Sequence, residues 1–152
     1  MQDWIKALGD VIAVRILTNI AENNFQPSEN PQDLTPEIKE ALKEGFGLEP
    51  GEEFVSDSDM ARETLSVLAH DPDFQRIIVS MEKNQPPERL VQEPATVYEL
   101  YAALVAFLNT QLEFSRDKSG KYAFKMKPDA FEEKLLKGFV SKLLNWMPPE
   151  NK

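Results

Sequence analysis

The chain's only histidine, His70, lies in the segment SDSDMARETLSVLAHDPDF, residues 56–74. An imidazole among carboxylates can bind a metal ion, or it can transfer protons as one half of an acid–base pair. Helix ends give a second explanation, because N-termini favour acidic side chains and C-termini favour a partly positive imidazole. The acids that accompany the histidine within this segment are Asp57, Asp59, Glu63, Asp71 and Asp73.

The spacing within this segment favours two helices that meet at a corner. Ser56 and Asp59 have the spacing of a capping box, which opens the first helix. His70 falls at the C-terminal end of that helix. Asp71 is then the N-cap of the next helix and Pro72 its first residue. We therefore expect His70 to be structural and not catalytic.

Other motifs that carry chemistry fail at defining positions. A single histidine excludes a His-Glu-x-x-His zinc site. A calcium loop that starts at Asp57 has Ala61 at a ligand position and Arg62 where glycine is needed. A phosphate loop around SGKY has Tyr122 in place of serine or threonine, and a dinucleotide fingerprint in GFGLEPG is broken by Pro50. The sequence thus predicts no catalytic residue, metal or cofactor, although clustered carboxylates leave a hydrolase as one alternative.

Composition indicates an ordinary globular domain. The chain has 152 residues, 41% of them hydrophobic and 28% charged, so we expect a single domain over residues 1–152. The absence of cysteine excludes disulfides, a thiol nucleophile and cysteine-based zinc sites. There is no pattern typical of a signal peptide or of a membrane span. These features predict a cytoplasmic protein.

Apolar periodicity predicts helices along most of the chain. Steps of three and four residues indicate a first helix over about residues 3–23. A second helix has Thr35 as its N-cap and ends at Gly45 or Gly47. The segment TVYELYAALVAFLNTQLEF is apolar almost all round, so we expect its helix at the centre of a bundle. A last helix should begin at Asp129, which has capping-box spacing with a glutamate.

One segment changes to a period of two. Tyr122, Phe124 and Met126 alternate with less apolar residues, and residues 117–120, DKSG, have the composition of a turn. Gly120 can adopt the positive φ that such turns need. We therefore predict a small β-hairpin near residues 114–126. The expected fold is mainly α, a compact single-domain bundle of five or six helices with this hairpin.

Charge is distributed unevenly along the chain. The net charge of −9 argues against nucleic-acid binding. Residues 1–95 carry 19 acidic and 8 basic side chains, whereas residues 96–152 carry 7 and 9. An asymmetry of this kind suggests that the basic part has a partner.

The leading hypothesis is a non-catalytic protein that binds another macromolecule, most plausibly a protein. As an alternative, the basic amphipathic C-terminal part could attach to an anionic membrane surface, with Trp146 in its interface. Aromatic and basic residues alternate in the hairpin segment, where they could form the binding surface. The candidate residues of this surface are Arg116, Lys118, Lys121, Tyr122, Lys125 and Lys127.

Overall fold

The structure is a computed structural model that describes residues 3–25, 32–49, 54–84 and 97–146. Within these ranges it has seven helices and one two-stranded antiparallel sheet, which confirms a mainly α fold with a small hairpin. The elements are α1 Asp3–Lys6, α2 Asp10–Asn24, α3 Pro36–Phe46, α4 Asp57–Leu68, α5 Pro72–Lys83, α6 Val97–Gln111, β1 Leu112–Arg116, β2 Tyr122–Met126 and α7 Glu133–Leu144.

The core lies between α2, α4, α6 and α7. Helix α2 packs against both α4 and α6, and α4 also contacts α7. Leu100, Leu104 and Leu108 recur every four residues on α6 and are at most 1% exposed. Leucines at this spacing lie along one face of a helix, and the burial of that face agrees with the predicted central position of α6.

The predicted first helix over residues 3–23 is wrong in one respect, since it is divided into α1 and α2. Gly9 has an extended backbone and precedes the first residue of α2. Glycine is about 1 kcal/mol less favourable than alanine inside a helix, so ending the helix at Gly9 sacrifices little helix stability. The break also leaves the Leu8 carbonyl free to accept a hydrogen bond from Nε of Arg62 at 3.0 Å. Arg62 also forms ion pairs with Asp10 and Asp59, which ties this break to α4.

The predicted caps of α3, α4 and α5 are confirmed. Each helix is preceded by an N-cap residue whose side chain accepts a hydrogen bond from a backbone N–H in the first turn. These residues are Thr35, Ser56 and Asp71. Gly47 follows the last residue of α3 and terminates the helix, and its φ of 66° is in the left-handed region that glycine adopts readily. These contacts are local, which is why a few neighbouring residues were enough to predict them.

The predicted start of the last helix at Asp129 is wrong, because α7 begins at Glu133. The preceding residues form a turn in which the Ala130 N–H donates to the Lys127 carbonyl at 3.0 Å. The Phe131 N–H donates to Oε1 of Gln111 at 2.7 Å. With a helix start at Asp129, the Phe131 N–H would lie in the first turn, where it has no partner within the helix. In the structure this N–H instead donates to the side chain of Gln111, and the helix begins later.

Candidate functional site

The register of the hairpin divides its side chains between two faces, because successive residues of a strand point to opposite sides. One face carries the pairs Leu112 with Met126, Phe114 with Phe124, and Arg116 with Tyr122. The other face carries Glu113 opposite Lys125 and Ser115 opposite Ala123. The aromatic residues of the first face pack against the core. Strand β1 follows α6 directly, so the predicted helix through residue 114 is three residues too long.

Phe124 anchors the hairpin to α3. Its ring stacks on that of Phe46, with centroids 4.9 Å apart, and meets the Phe114 ring edge-on at 5.9 Å. The ring also lies on the backbone of Gly45, where an added Cβ would come within 2.5 Å of the Phe124 Cζ. The absence of a side chain at Gly45 therefore allows the hairpin to approach the helix closely.

The turn of the hairpin is organised by one carboxylate. Oδ1 of Asp117 accepts hydrogen bonds from the Ser119 N–H, the Ser119 hydroxyl and the Lys121 N–H, at 2.7–2.9 Å. The hydroxyl of Ser119, followed by the backbone N–H of Lys121, holds the pKa of Asp117 below its ordinary value. Gly120 supplies the positive φ, 89°, that was expected at this turn. The negative charge of Asp117 is thus stabilised by hydrogen bonds within the turn.

Four of the six predicted surface residues lie together at the tip of the hairpin. The guanidinium carbon of Arg116 lies 5.3 Å from the centroid of the Tyr122 ring, in a cation–π arrangement. Lys118 is exposed in the turn, and Lys121 pairs with Glu44 of α3 at 3.2 Å. We call Arg116, Lys118, Lys121 and Tyr122 the hairpin end. Among the described residues, no ion pair is formed by Arg116 or Lys118.

The other two predicted residues are separate from the hairpin end. Lys125 lies on the opposite face of the hairpin, with Nζ 3.9 Å from Oε1 of Glu113 across the strands. Nζ of Lys127 donates to the carbonyl of Asn109 at 2.7 Å, in the last turn of α6. The alternation that makes the segment look like a single basic surface in fact sends these side chains in different directions.

A shallow groove of about 470 Å³ lies along the junction of the hairpin with α3. Two carboxylates, those of Glu44 and Asp117, line this groove together with Lys121. Both are already engaged, Glu44 by Lys121 and Asp117 by the turn. The hydrolase alternative requires a pair of carboxylates. In enzymes that cleave glycosides, one of the two is a neutral acid and the other is a free base or nucleophile. The lowered pKa of Asp117 makes it unsuited to the role of acid.

His70 lies in the corner between α4 and α5, as the spacing of its neighbours indicates. Its Nδ1 is 3.0 Å from the Ser66 carbonyl one helical turn earlier, and the residue is exposed. The part of the chain that the structure describes contains no group of three or more histidine or acidic residues able to hold a metal ion. Of the acids around His70, Asp71 caps α5, and Asp59 and Asp73 pair with Arg62 and Arg76. Asp57 accepts a hydrogen bond from Nε1 of Trp146, and Glu63 pairs with Lys142.

Three residues that contact the hairpin or Lys127 were not identified from the sequence as partners of this segment. Gly45 was interpreted only as a possible helix terminator, although an isolated glycine inside a helical pattern often marks close packing. Glu44 gave no signal, since its partner Lys121 lies 77 residues later in the chain. Asn109 is 3% exposed, and its backbone and side chain bind segments distant in sequence.

Comparison of the chain with models of protein families, with curated proteins and with solved structures gave no match. Among the described residues, no helix combines the length and apolar character required to cross a bilayer. Function has therefore to be inferred from the geometry of the chain itself.

Proposed function

We propose that this protein acts by binding another protein, and that the hairpin end contacts an acidic segment of that partner. The observation that carries this proposal is the arrangement of Arg116, which is exposed, lies over the Tyr122 ring and forms no ion pair within the described residues. Lys118 adds a second exposed cation in the adjoining turn. Carboxylates are the natural complement of such a group.

The position of Arg116 over the Tyr122 ring favours recognition for two physical reasons. A side chain that is already held in place loses less conformational freedom when it binds. The guanidinium lies over the ring and forms no ion pair within the described residues, so its N–H groups can still bind a carboxylate with two hydrogen bonds. Arginine and tyrosine are also enriched among the residues that contribute most to protein interfaces.

A short acidic segment is a better complement than a nucleic acid. A nucleic acid presents a continuous row of phosphates and is bound by a long basic stripe. The hairpin end offers three cations, of which Lys121 already has Glu44 as a partner. The remainder of the molecule is strongly acidic, which repels a polyanion. Asp117 and Glu44 offset two of the three cations, so the local charge is positive but small, which suits a few carboxylates within about 10 Å at ordinary salt concentrations.

Membrane attachment through the last helix has less support. Leu136, Phe139, Val140 and Leu143 of α7 are each at most 1% exposed and belong to the core. Trp146 is also 1% exposed, and its Nε1 donates to Oδ1 of Asp57 at 2.7 Å. An interfacial helix requires an apolar face that is free to enter the headgroup region. The helix that suggested this alternative uses that face inside the protein.

The test is a comparison of the proteins captured from a native lysate by three forms of the chain. The wild type is compared with Arg116→Ala/Lys118→Ala and with a matched control, Lys125→Ala/Lys137→Ala. Both variants remove two exposed basic side chains, so they change the net charge equally. We expect at least one partner to be captured by the wild type and the control but lost from the first variant, and to be released at high salt. Equal recovery of every partner by all three forms would overturn the proposal.

A further inference from the structure

A second concave site lies away from the hairpin end and has a different composition. It is a half-open cavity of about 310 Å³ between the ends of α2, α4 and α6, the start of α5 and the segment that follows β2. This volume is at the lower end of typical small-molecule sites, which span about 300–1,000 Å³. Its aromatic lining residues are Phe25, Phe74, Phe107 and Phe131.

The four phenyl rings form a continuous apolar wall. The ring centroids of Phe25 and Phe107 are 5.8 Å apart, and those of Phe107 and Phe131 are 6.2 Å apart. Phe74 meets Phe25 edge-on at 6.2 Å. Phe107 is fully buried, whereas the other three rings are partly open. The three partly open rings can therefore contact a further aromatic or aliphatic group, and Phe107 supports them from within the core.

One cation on the cavity lining has unused hydrogen-bonding capacity. The ammonium group of Lys127 is held on the Asn109 carbonyl at 2.7 Å, and the residue is partly buried. An ammonium group has three N–H donors, so two remain available. Within the described ranges, no carboxylate oxygen lies within 4 Å of this nitrogen. A partly buried cation without a counter-ion is stabilised by an anion that can reach it.

Of the other polar residues of the lining, Thr110 and Gln111 are already engaged, and Asn24 and Asp129 are exposed. Oγ1 of Thr110 donates to the Phe107 carbonyl at 2.7 Å, and Oε1 of Gln111 accepts from the Phe131 N–H. Asp129 also lines the cavity and is exposed. Lys127 therefore remains as the lining group best placed to hold an anion, with one carboxylate nearby that could hold an ammonium group.

We propose that this cavity binds a small carboxylic acid that carries an aromatic or bulky apolar group. The carboxylate accepts hydrogen bonds from Lys127, and the apolar group lies among the phenylalanine rings. Two kinds of molecule share this chemistry, a simple aryl acid and an α-amino acid whose ammonium group faces Asp129. The residues of the hairpin end do not line the cavity, so this site is independent of the protein-binding role.

The test is isothermal titration calorimetry of the full chain with 3-phenylpropionate, phenylalanine and the uncharged 3-phenylpropionamide. We expect saturable binding of at least one of the two acids and at least tenfold weaker binding of the amide. An aryl-acid site binds 3-phenylpropionate with an affinity that Asp129→Asn does not reduce. An amino-acid site prefers phenylalanine and loses that preference in Asp129→Asn.

Lys127→Gln should weaken binding of the preferred acid at least tenfold, whereas Lys125→Gln, the matched control on the hairpin, should leave it unchanged. Lys127 also binds the end of α6, so circular dichroism must show that its variant is folded. If it is not, the comparison of acid with amide on the wild-type chain decides alone. The proposal fails if neither acid binds, if acid and amide bind equally, or if a folded Lys127→Gln chain binds the acid as well as the wild type.

Discussion

The phenyl ring of Phe124 lies against the backbone of Gly45, in the space that a Cβ atom at this position would occupy. This contact fixes how closely β2 approaches α3, and the same approach brings Lys121 to Glu44. The position of the hairpin end relative to the helices therefore depends on a glycine that lies outside it.

Gly45→Ala should destabilise the protein. The new methyl group would overlap the Phe124 ring, and overpacking of this kind costs about 1–3 kcal/mol. The better helix propensity of alanine offsets about 1 kcal/mol of that loss. We expect a lower free energy of unfolding in a urea titration.

Gly138→Ala is the matched control for this change. Gly138 lies within α7, and its added Cβ would meet only Oε2 of Glu63 at an ordinary distance of 3.6 Å. This variant should gain about 0.5–1 kcal/mol from helix propensity alone. If Gly45→Ala stabilises the chain as much as Gly138→Ala does, then Phe124 does not pack as described.

Two aspartates that look alike in sequence should differ in their contribution to stability. Oδ1 of Asp71 accepts from the Asp73 N–H at 2.8 Å and caps α5. Asp71→Ala should therefore lower the free energy of unfolding by about 1 kcal/mol. Asp129 lies four residues before α7 and is exposed, so Asp129→Ala should change it by less than about 0.5 kcal/mol. Thermal unfolding of the wild type and the two variants measures both changes in stability. Equal losses of stability in the two variants would contradict the observed start of α7.

The turn of the hairpin should respond to acid through Asp117. Its pKa in the folded protein is below the ordinary value of 3.8, so its contribution to stability is present above that value and is lost as the pH falls through the lowered pKa. The Ser119 hydroxyl is the largest cause, and Ser119→Ala should raise the pKa towards 3.8. A carboxyl-carbon NMR titration measures both midpoints. A wild-type midpoint at or above 3.8, or no change in the variant, would show that the turn does not hold the charge.

Local features of the fold were predictable from sequence, and contacts between distant segments were not. The caps at Thr35, Ser56 and Asp71 depend on residues two or three positions away, which the sequence displays directly. The break at Gly9 involves Arg62, and the late start of α7 involves Gln111. Neither partner is close in sequence to the backbone group that it binds.

The candidate surface shows the same division. The period of two correctly indicated which aromatic residues of β2 face the core. The cation–π contact of Arg116 with Tyr122 depends on the register of the hairpin, which the positions of the residues alone did not provide. The contact of Lys127 with Asn109 requires the end of α6 to lie beside the end of β2. A basic run in the sequence thus became a smaller cluster at the hairpin end and two separate lysines.

The central claim is that Arg116, held on Tyr122, contacts the partner protein. The most direct measurement is the dissociation constant of a captured partner for three folded chains: the wild type, Arg116→Ala and Lys125→Ala. Loss of a charge-assisted contact at an interface predicts at least a tenfold larger dissociation constant for Arg116→Ala. Lys125 lies on the other face of the hairpin, so its variant should bind as the wild type does. A dissociation constant for Arg116→Ala equal to that of the wild type would contradict the claim.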